Sequence, residues 1–153
     1  MSPNQLIVHQ VANGAPSPST FPADSLATAL GARLLAAIRG EGRVRLEFSP
    51  GPTFLQGEGV VQGGAVSAML DFAAACAAMT VLEPGTDCTT VTLTTSFLRP
   101  VATGTCVAHG AVERRGRNLV FTRASLHESS GSGRALATAV AVLAVVPPRK
   151  TDA

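Results

Sequence analysis

The sequence contains neither tryptophan nor tyrosine, and charged residues make up only 14% of its 153 residues. The aromatic residues are six phenylalanines, so the core is predicted to be aliphatic. The net charge is +2, and no dense run of lysine and arginine occurs, which argues against a nucleic-acid-binding protein. The amino terminus lacks a basic segment followed by an apolar one, so no signal peptide is expected.

Metal-binding and disulfide patterns are also missing. The cysteines are odd in number and lack metal or redox spacing, so we expect reduced thiols in a cytoplasmic protein. The histidines stand far apart, so we expect neither a metal site nor a cofactor. These residues are Cys76, Cys88 and Cys106, and His9, His109 and His127.

Apolar residues, by contrast, reach 46% of the chain, which is more than a small monomer can easily bury. We therefore expect burial between subunits. The longest apolar stretch covers residues 65–82 and contains one charge, Asp71. Because a carboxylate in mid-membrane is costly, this stretch is predicted to be a buried helix of a globular protein rather than a membrane span.

The first half of the chain mixes loops, a helix and a strand. Residues 1–20 are rich in Pro, Ser, Asn and Gly and are predicted to form a flexible arm, with residues 21–148 forming one domain. Alternating residues in 43–48 predict a half-buried strand. Residues 21–40 are predicted to form a helix ended by Gly40. That prediction depends on apolar residues at helical spacing, which are Leu26, Leu30, Leu34, Leu35 and Ile38.

The second half predicts one long helix followed by four strands. A glycine-rich loop leads into the alanine-rich helix, which ends before Pro84. Residues 104–128 read as a hairpin that turns at residues 115–118, and residues 129–133 form a second tight connection. Short connections join antiparallel neighbours. The pattern therefore predicts an α+β fold in which an antiparallel sheet wraps around one central helix.

Gly63 and Gly64 stand where the glycine-rich loop becomes the central helix. The first N–H groups of a helix lack intrahelical partners, and the positive end of the helix dipole lies behind them. Glycine lets a ligand approach this backbone closely. The pair is therefore a candidate site for an anion or for an oxygen that becomes negative during a reaction. The alternative is that the pair only forms a tight turn and cap.

Asp71 lies eight residues beyond Gly63. At about 1.5 Å per residue this places it roughly 12 Å further along the helix, too far to share a small substrate group within one chain. A second copy packed antiparallel would bring its own Asp71 to this helix start, twice in a twofold dimer. The alternative is a structural carboxylate hydrogen-bonded to backbone or to a threonine.

Four segments together resemble the hotdog-fold acyl-CoA thioesterases of the phenylacetate-degradation (PaaI-like) type. They are QGGAVSAMLDFA, TTVTLTTSFLRPV, VERRGRNLVFTRA and RALATAVAVLAVV, within residues 43–146. The family signature is His-Gly-Gly, an apolar spacer and an acid, followed by an aromatic-x-x-Pro strand end and a Gly-Arg turn. The resemblance implies a hotdog fold and hydrolysis of an acyl- or aryl-CoA.

The resemblance also implies catalytic roles. Gly63 would donate the backbone N–H that polarises the thioester carbonyl, and Gln56 would supply a side-chain amide beside it. Asp71 would attack the thioester or activate water. Thr90, with Thr89 beside it, would supply a hydroxyl that orients the water, since threonine both donates and accepts hydrogen bonds.

Substrate binding is implied for Gln62, Gly64, Thr89 and Arg117. Gln62 departs from the family, because it stands where the signature has histidine, and glutamine cannot titrate near neutral pH. Five arginines suit the phosphates of coenzyme A or a solvated surface equally well, and Arg117 at the Gly-Arg turn is the preferred candidate. They are Arg99, Arg114, Arg115, Arg117 and Arg123.

Two other functions remain open on the sequence. A non-catalytic acyl-CoA sensor would keep the fold and lose the chemistry, and Gln62 favours it. A hotdog hydratase needs a histidine beside a carboxylate, and no histidine lies near the central helix in sequence. The thioesterase is the preferred prediction: a cytoplasmic homodimer assembled into a tetramer, with an acyl-CoA substrate and neither nucleic acid nor membrane as partner.

Overall fold

The structure, a computed structural model, describes residues 1–130 and 133–148. Seven strands form one antiparallel sheet, and a long helix packs against it, which confirms the predicted hotdog architecture. The strands are β1 (Ser19–Thr20), β2 (Arg33–Ile38), β3 (Arg43–Phe48), β6 (Asp87–Phe97), β7 (Cys106–Arg115), β8 (Leu119–Glu128) and β9 (Ala137–Val146), in the order β1-β2-β3-β7-β8-β9-β6. The helices are α1 (Pro3–Ala12), α2 (Leu26–Ala29) and α3 (Gly63–Met79).

The central helix α3 lies close to the sheet because both surfaces carry small residues. Its buried residues include Ala73, Ala74 and Ala77, all fully enclosed. Opposite them, Gly110 of β7 lies so near that a Cβ there would overlap the carbonyl oxygen of Ala73. The alanine content of α3 therefore serves both helix formation and close packing.

One side of α3 is only partly covered by its own chain. Pairs of buried residues alternate with pairs of partly exposed ones, as expected for a helix packed on one face. We call the partly exposed side the open stripe of α3. It consists of Gly63, Gly64, Ser67, Ala68, Asp71, Phe72 and Ala75.

Strand β6 forms one edge of the sheet and is eleven residues long. It runs antiparallel to its only strand neighbour in the described chain, β9. Apolar side chains stay in contact with solvent along it, with Val91 and Phe97 each 57% exposed. A long exposed edge invites pairing with another strand. The open stripe of α3 lies next to the exposed edge of β6, since Thr90 of β6 contacts Asp71 of α3.

The prediction of a flexible arm is wrong for residues 3–12, which form helix α1. The side chain of Gln5 is fully buried and binds the loop before β6: its amide donates to the carbonyls of Glu83 and Thr86, and its oxygen accepts from Gly85 N–H. His9 is buried against the carbonyl of Met79. The residues that suggested an arm, Pro and Ser, serve here as helix start and cap.

The predicted helix over residues 21–40 is also wrong. Only Leu26–Ala29 is helical, and Arg33–Ile38 is strand β2. Gly31 ends the helix with a positive φ of 66°. Tertiary pairing then overrides the leucine spacing, because β2 lies against β3 and Arg33 forms a 3.0 Å ion pair with Glu47.

The remaining elements agree with the sequence. Strand β3 and the hairpin of β7 and β8 form as predicted, with the turn at residues 115–118. The glycine-rich loop adds a short hairpin of β4 (Leu55–Gln56) and β5 (Val60–Val61). Gly131 and Ser132 of the connection to β9 lie outside the described residues. Among the helices described, none has the length and apolar character needed to cross a bilayer.

Candidate active site

The amino-terminal end of α3 presents open backbone donors. Gln62 is the N-cap residue, in an extended conformation with φ −62° and ψ 141°, and its side chain makes no capping bond. The backbone N–H groups of Gly63 and Gly64 have no backbone acceptor within residues 1–130 and 133–148. Together with the helix dipole, they can receive an anionic oxygen, as the sequence predicts.

A cavity of about 400 Å³ lies in front of this helix start. It brings together Gly63 and Gln56, two of the predicted catalytic residues. The remaining walls come from the loop after β6 and from apolar residues. The full lining is Gln56, Val60, Val61, Gly63, Val66, Phe97, Leu98, Arg99, Pro100 and Val101. We call Gln56, Gly63 and this cavity the amide half-site.

The folding of the glycine-rich loop explains how Gln56 reaches the cavity. Gln56 pairs with Val60 in the short hairpin of β4 and β5. The N–H of Gln62 donates to the carbonyl of Phe54 at 2.8 Å, which fixes the loop to the start of α3. The pairing of Gln56 with Val60 and the hydrogen bond from Gln62 to Phe54 therefore hold Gln56 beside the start of α3.

Phe97 explains why residue 63 is glycine. A Cβ at position 63 would stand 3.3 Å from Cζ of Phe97, tighter than ordinary carbon contacts. A side chain larger than hydrogen would press on this ring and cover the N–H. The aromatic ring and the missing side chain thus form one wall of the same cavity.

A second group forms around Asp71, halfway along α3. The hydroxyl of Thr90 on β6 donates to Oδ1 of Asp71 at 2.7 Å. The strand pairing shifts register between Thr90 and Thr92, and such a bulge re-aims side chains. The described ion pairs, Arg33–Glu47 and Arg123–Glu113, do not involve Asp71. We call Asp71 and Thr90 the carboxylate half-site.

The two half-sites do not meet within one chain. Neither Asp71 nor Thr90 lines the cavity at Gly63. Eight residues of helix separate Asp71 from Gly63, a distance of roughly 12 Å along the axis. A single chain therefore holds two incomplete groups on neighbouring uncovered surfaces.

Three other predicted residues lie on the surface around these groups. Gln62 and Gly64 are exposed beside Gly63, at the amide half-site. Thr89 is exposed next to Thr90. They are therefore accessible to a substrate from outside the chain.

Arg117 is exposed in the turn between β7 and β8. Leu119 and Thr89 both lie opposite Ala144 of β9, so this turn stands at the end of the sheet where β6 begins. Arg117 thus belongs to the end that carries the carboxylate half-site, two strands away from it.

Arg99 and Phe97 line the amide half-site, although no sequence pattern assigned either of them a specific role there. The aromatic-x-x-Pro pattern was the signal that could have placed them, because it fixes where β6 ends. Among the described residues that line the cavity, Arg99 is the charged one, whereas the sequence favours Arg117.

The histidines and cysteines lie away from the cavity. His109 and His127 form an edge-to-face pair with ring centroids 5.3 Å apart. Burial, and then the neighbouring His109, lower the pKa of His127, against a smaller opposing effect from the Gly133 backbone. Burial, and then the charges of Asp87 and Asp71, raise the pKa of the Cys88 thiol to about 12, so it stays protonated.

Comparison with known protein families gives one match. The model of the thioesterase superfamily matches residues 58–134. This range contains Gly63, Asp71, Thr90 and Arg117. A comparison with curated protein sequences finds no significant match.

Solved structures are similar over most of the chain. A phenylacetic acid degradation-related protein from Ralstonia eutropha JMP134 is 31% identical, with a TM-score of 0.76 over 90% of this chain and 98% of that one. The PaaI protein of E. coli is 21% identical, with a TM-score of 0.71 over 82% and 87% of the two chains. The smu.793 protein of Streptococcus mutans, solved with acetyl-CoA, is 18% identical, with a TM-score of 0.65 over 76% and 90%. The last two similarities show the fold.

Proposed function

Because this chain belongs to the thioesterase superfamily and is a thioester hydrolase of the PaaI-like hotdog type, we propose that it hydrolyses an acyl- or aryl-CoA to the free acid and coenzyme A. The neighbour from Streptococcus mutans was solved with acetyl-CoA, which supports coenzyme A as the carrier on this fold. The acyl group is left open.

The working unit we propose is a twofold dimer that joins the half-sites. Strand β6 pairs antiparallel with its copy, which covers the exposed edge and the open stripe of α3. Along β6, Phe97 lies at Gly63 and Thr90 lies at Asp71. The twofold axis would pass near Leu93 and Thr94, the middle of that segment. Antiparallel pairing about this axis places Thr90 of one chain beside Phe97 of the partner chain, and so joins the two half-sites.

In this dimer the amide half-site of one chain binds the thioester carbonyl. The oxygen of that carbonyl gains negative charge as the carbonyl carbon is attacked, and the Gly63 N–H and the Gln56 side-chain amide donate to it. Donors already in place cost no rearrangement at the moment of reaction. Losing one such donor typically costs about a hundredfold or more in rate.

Asp71 of the partner chain supplies the negative charge for the reaction. It either attacks the carbonyl carbon or takes a proton from the attacking water, and both routes need the carboxylate form. The hydroxyl of Thr90 holds Oδ1, which leaves Oδ2 for the reaction. Thr89 alternates with Cys88 and Thr90, whose side chains both contact α3, so its hydroxyl faces the other side of β6 and we assign it no role beside Asp71.

Coenzyme A carries phosphate groups, and their negative charge favours a nearby cation. Arg117 is exposed there, in the turn between β7 and β8. A guanidinium matches phosphate oxygens with two parallel donors. We assign Arg117 the role of binding these phosphates. We assign Gln62 and Gly64 contacts with the substrate at the amide half-site.

Two dimers associate further in the proposed cytoplasmic enzyme. The outer face of the sheet carries a groove of about 450 Å³ and keeps Val140 56% exposed. A second dimer on this face would cover both. Light scattering of the purified protein should therefore give the mass of a tetramer.

The observation that carries the proposed function is the Thr90–Asp71 hydrogen bond on an uncovered surface, with an open helix start on the same surface. Free-thiol release should be measured over a panel of acyl- and aryl-CoA substrates. We expect release by the native protein and near-complete loss in Asp71→Asn.

The matched control is Asp87→Asn, which changes another half-buried aspartate whose Oδ1 accepts from the Cys88 N–H. It should keep most of the activity. Saturable binding of an acyl-CoA without thiol release would instead support the sensor that Gln62 favours. Release that survives in Asp71→Asn would show that the carboxylate does not act in the reaction.

A further inference from the structure

Strand β6 has a charge of opposite sign near each of its ends and uncharged residues between them. Asp87 is its first residue, and Arg99 stands two residues after its last residue, Phe97. The eleven residues between the two charges are uncharged, and Leu93 lies six residues from each of them. Such a strand is complementary to its own copy in antiparallel pairing, because each acid then comes near the other chain's arginine.

The carboxylate of Asp87 lies at the open edge of β6. Val145, the residue opposite Cys88 on β9, donates its N–H to the carbonyl of Asn118, at the start of β8. The backbone of Val145 therefore points away from β6, and the N–H of Cys88 points away from β9, to the free side. Oδ1 of Asp87 accepts from that N–H at 2.9 Å. The acid thus stands where a second strand would pair.

The arginine at the other end has no charged partner in its own chain, as far as the structure describes it. Arg99 is exposed and lines the cavity at Gly63. The ion pairs among residues 1–130 and 133–148 involve other side chains, so neither Asp87 nor Arg99 is neutralised there. Both charges are available to a second chain.

The edge of β6 offers backbone groups to a second strand mainly between the two charges. The N–H of Cys88 is already bound by Asp87, and Pro100, which follows Arg99, has no N–H. The N–H of Arg99 donates to the carbonyl of Leu136 in its own chain at 3.0 Å. A strand that pairs with the uncharged stretch therefore meets a charge at each end.

We propose that Asp87 of one chain and Arg99 of the other form an ion pair, twice about the twofold axis, and that these pairs fix the register in which the half-sites meet. The occupant of the β6 edge is a second copy of this chain. This inference rests on the proposed function, because it concerns the dimer proposed there, and it adds the contact that sets its alignment.

The charges and the half-sites place the axis at the same point. Joining the half-sites puts it near Leu93 and Thr94, and the two charges by themselves put it at Leu93. In that register Arg99 of one chain lies opposite Cys88 of the other, beside Asp87, whose carboxylate is already on the shared edge. A slip of two residues moves one strand about 7 Å along the other, which separates the charges and the half-sites together.

Charge reversal tests the pairing. Asp87→Arg and Arg99→Asp each give a chain with the same charge at both ends of β6, so each variant alone brings like charges together twice in a dimer. Like charges across an interface are strongly unfavourable, so the concentration at which the dimer dissociates should rise about tenfold or more at low salt. Analytical ultracentrifugation over a dilution series measures it.

Mixing the two variants should reverse the effect, because the arginines of one chain then meet the aspartates of the other. Mixed dimers should exceed the half expected from random exchange, and the mixture should dissociate near the native concentration. The double variant should do the same. Thiol release by dilute protein should recover in the mixture, since Gly63 and Asp71 are unchanged in both chains. At about 1 M salt, where charges are screened beyond about 3 Å, the differences should shrink.

The matched control is Arg39→Asp, which makes the same charge change at an exposed position after β2, near the other edge of the sheet. It should dissociate as the native protein does and should mix at random with Asp87→Arg.

Neutral variants keep the test valid if a reversal does not fold. Asp87→Asn retains an oxygen for the Cys88 N–H, and Arg99→Gln removes only the charge. Each should raise the dissociation concentration about twofold to thirtyfold, and combining them should add little, because either one already breaks both pairs. Far above that concentration Asp87→Asn stays assembled and active.

The outcomes separate the inference from the proposed function. Dissociation that responds to neither reversal, or random mixing of the two variants, would overturn the inference even if hydrolysis is normal. An Arg99→Asp variant with a raised KM and an unchanged dimer would also overturn it and would assign Arg99 to the substrate. Absence of thiol release from the assembled native protein would overturn the proposed function, and the mixing experiment would still decide the pairing.

Discussion

Mixing two inactive variants should restore activity if each active site takes Gly63 from one chain and Asp71 from the other. The first variant is Asp71→Asn, which removes the carboxylate. The second is Gly63→Pro, which removes the N–H donor. Proline is favoured at the first position of a helix, and the ψ of 141° at Gln62 suits a following proline, so α3 should still form.

The expected yield follows from the arrangement of the two half-sites. A mixed dimer has one site with both functional groups and one site with neither, so it keeps about half of the native activity. Random exchange of equal amounts makes about half of the dimers mixed, so the mixture should reach about one quarter of native activity. The roughly 12 Å of helix between Gly63 and Asp71 rules out a contribution within one chain.

The assay is free-thiol release before and after the two proteins are mixed, unfolded and refolded together. Each variant treated alone gives the background, and gel filtration checks that both assemble to the same size as the native protein. A mixture no more active than the two backgrounds, from variants that do form mixed dimers, would refute the shared site. Either variant keeping its activity alone would also count against it.

Three further outcomes follow from particular contacts. Thr90→Val keeps the shape of the side chain but removes the hydroxyl that donates to Asp71. A hydrogen bond to a charged group is worth about 1.5–3 kcal/mol, so kcat should fall about tenfold to a hundredfold. Thr90→Ser keeps the hydroxyl and should stay near the native kcat. Gly110→Ala forces a methyl against the carbonyl of Ala73, so denaturant unfolding should show a loss of about 1–3 kcal/mol, and an unchanged midpoint would contradict the packing described. Burial and a neighbouring imidazole lower the pKa of His127, so the unfolded chain binds more protons below about pH 6.5. The melting temperature should therefore be highest above that pH and fall below it. The fall should be smaller for His127→Gln.

The sequence was most informative where one pattern had one physical solution. Alternating residues predicted β3, because a half-buried strand has that period, and the turn residues at 115–118 predicted the hairpin of β7 and β8. The alanine-rich segment predicts a buried helix rather than a membrane span, because Asp71 would be costly in mid-membrane. Its glycine start and lone acid also pointed to the chemistry, since few structures place a carboxylate in such surroundings without a partner.

The sequence was least informative where local and tertiary preferences conflict. Leu30 and Leu34 are four residues apart, which suits a helix, yet they lie on either side of the turn at Gly31. Pairing of β2 with β3 determined that outcome. Likewise, Pro and Ser near the amino terminus suggested an arm, but burial of Gln5 against three backbone groups holds α1 on the domain.

The sequence by itself determined the fold class, the helix start at Gly63 and the carboxylate at Asp71. The fold class follows from hydrophobic periodicity, and the other two follow from a glycine pair before an apolar helix and a single acid within it. Only the tertiary structure decided that Thr90 holds Asp71 and that Phe97 and Arg99 line the cavity at Gly63. These contacts join residues distant along the chain. Their geometry depends on how the sheet curves around α3, which local sequence does not encode.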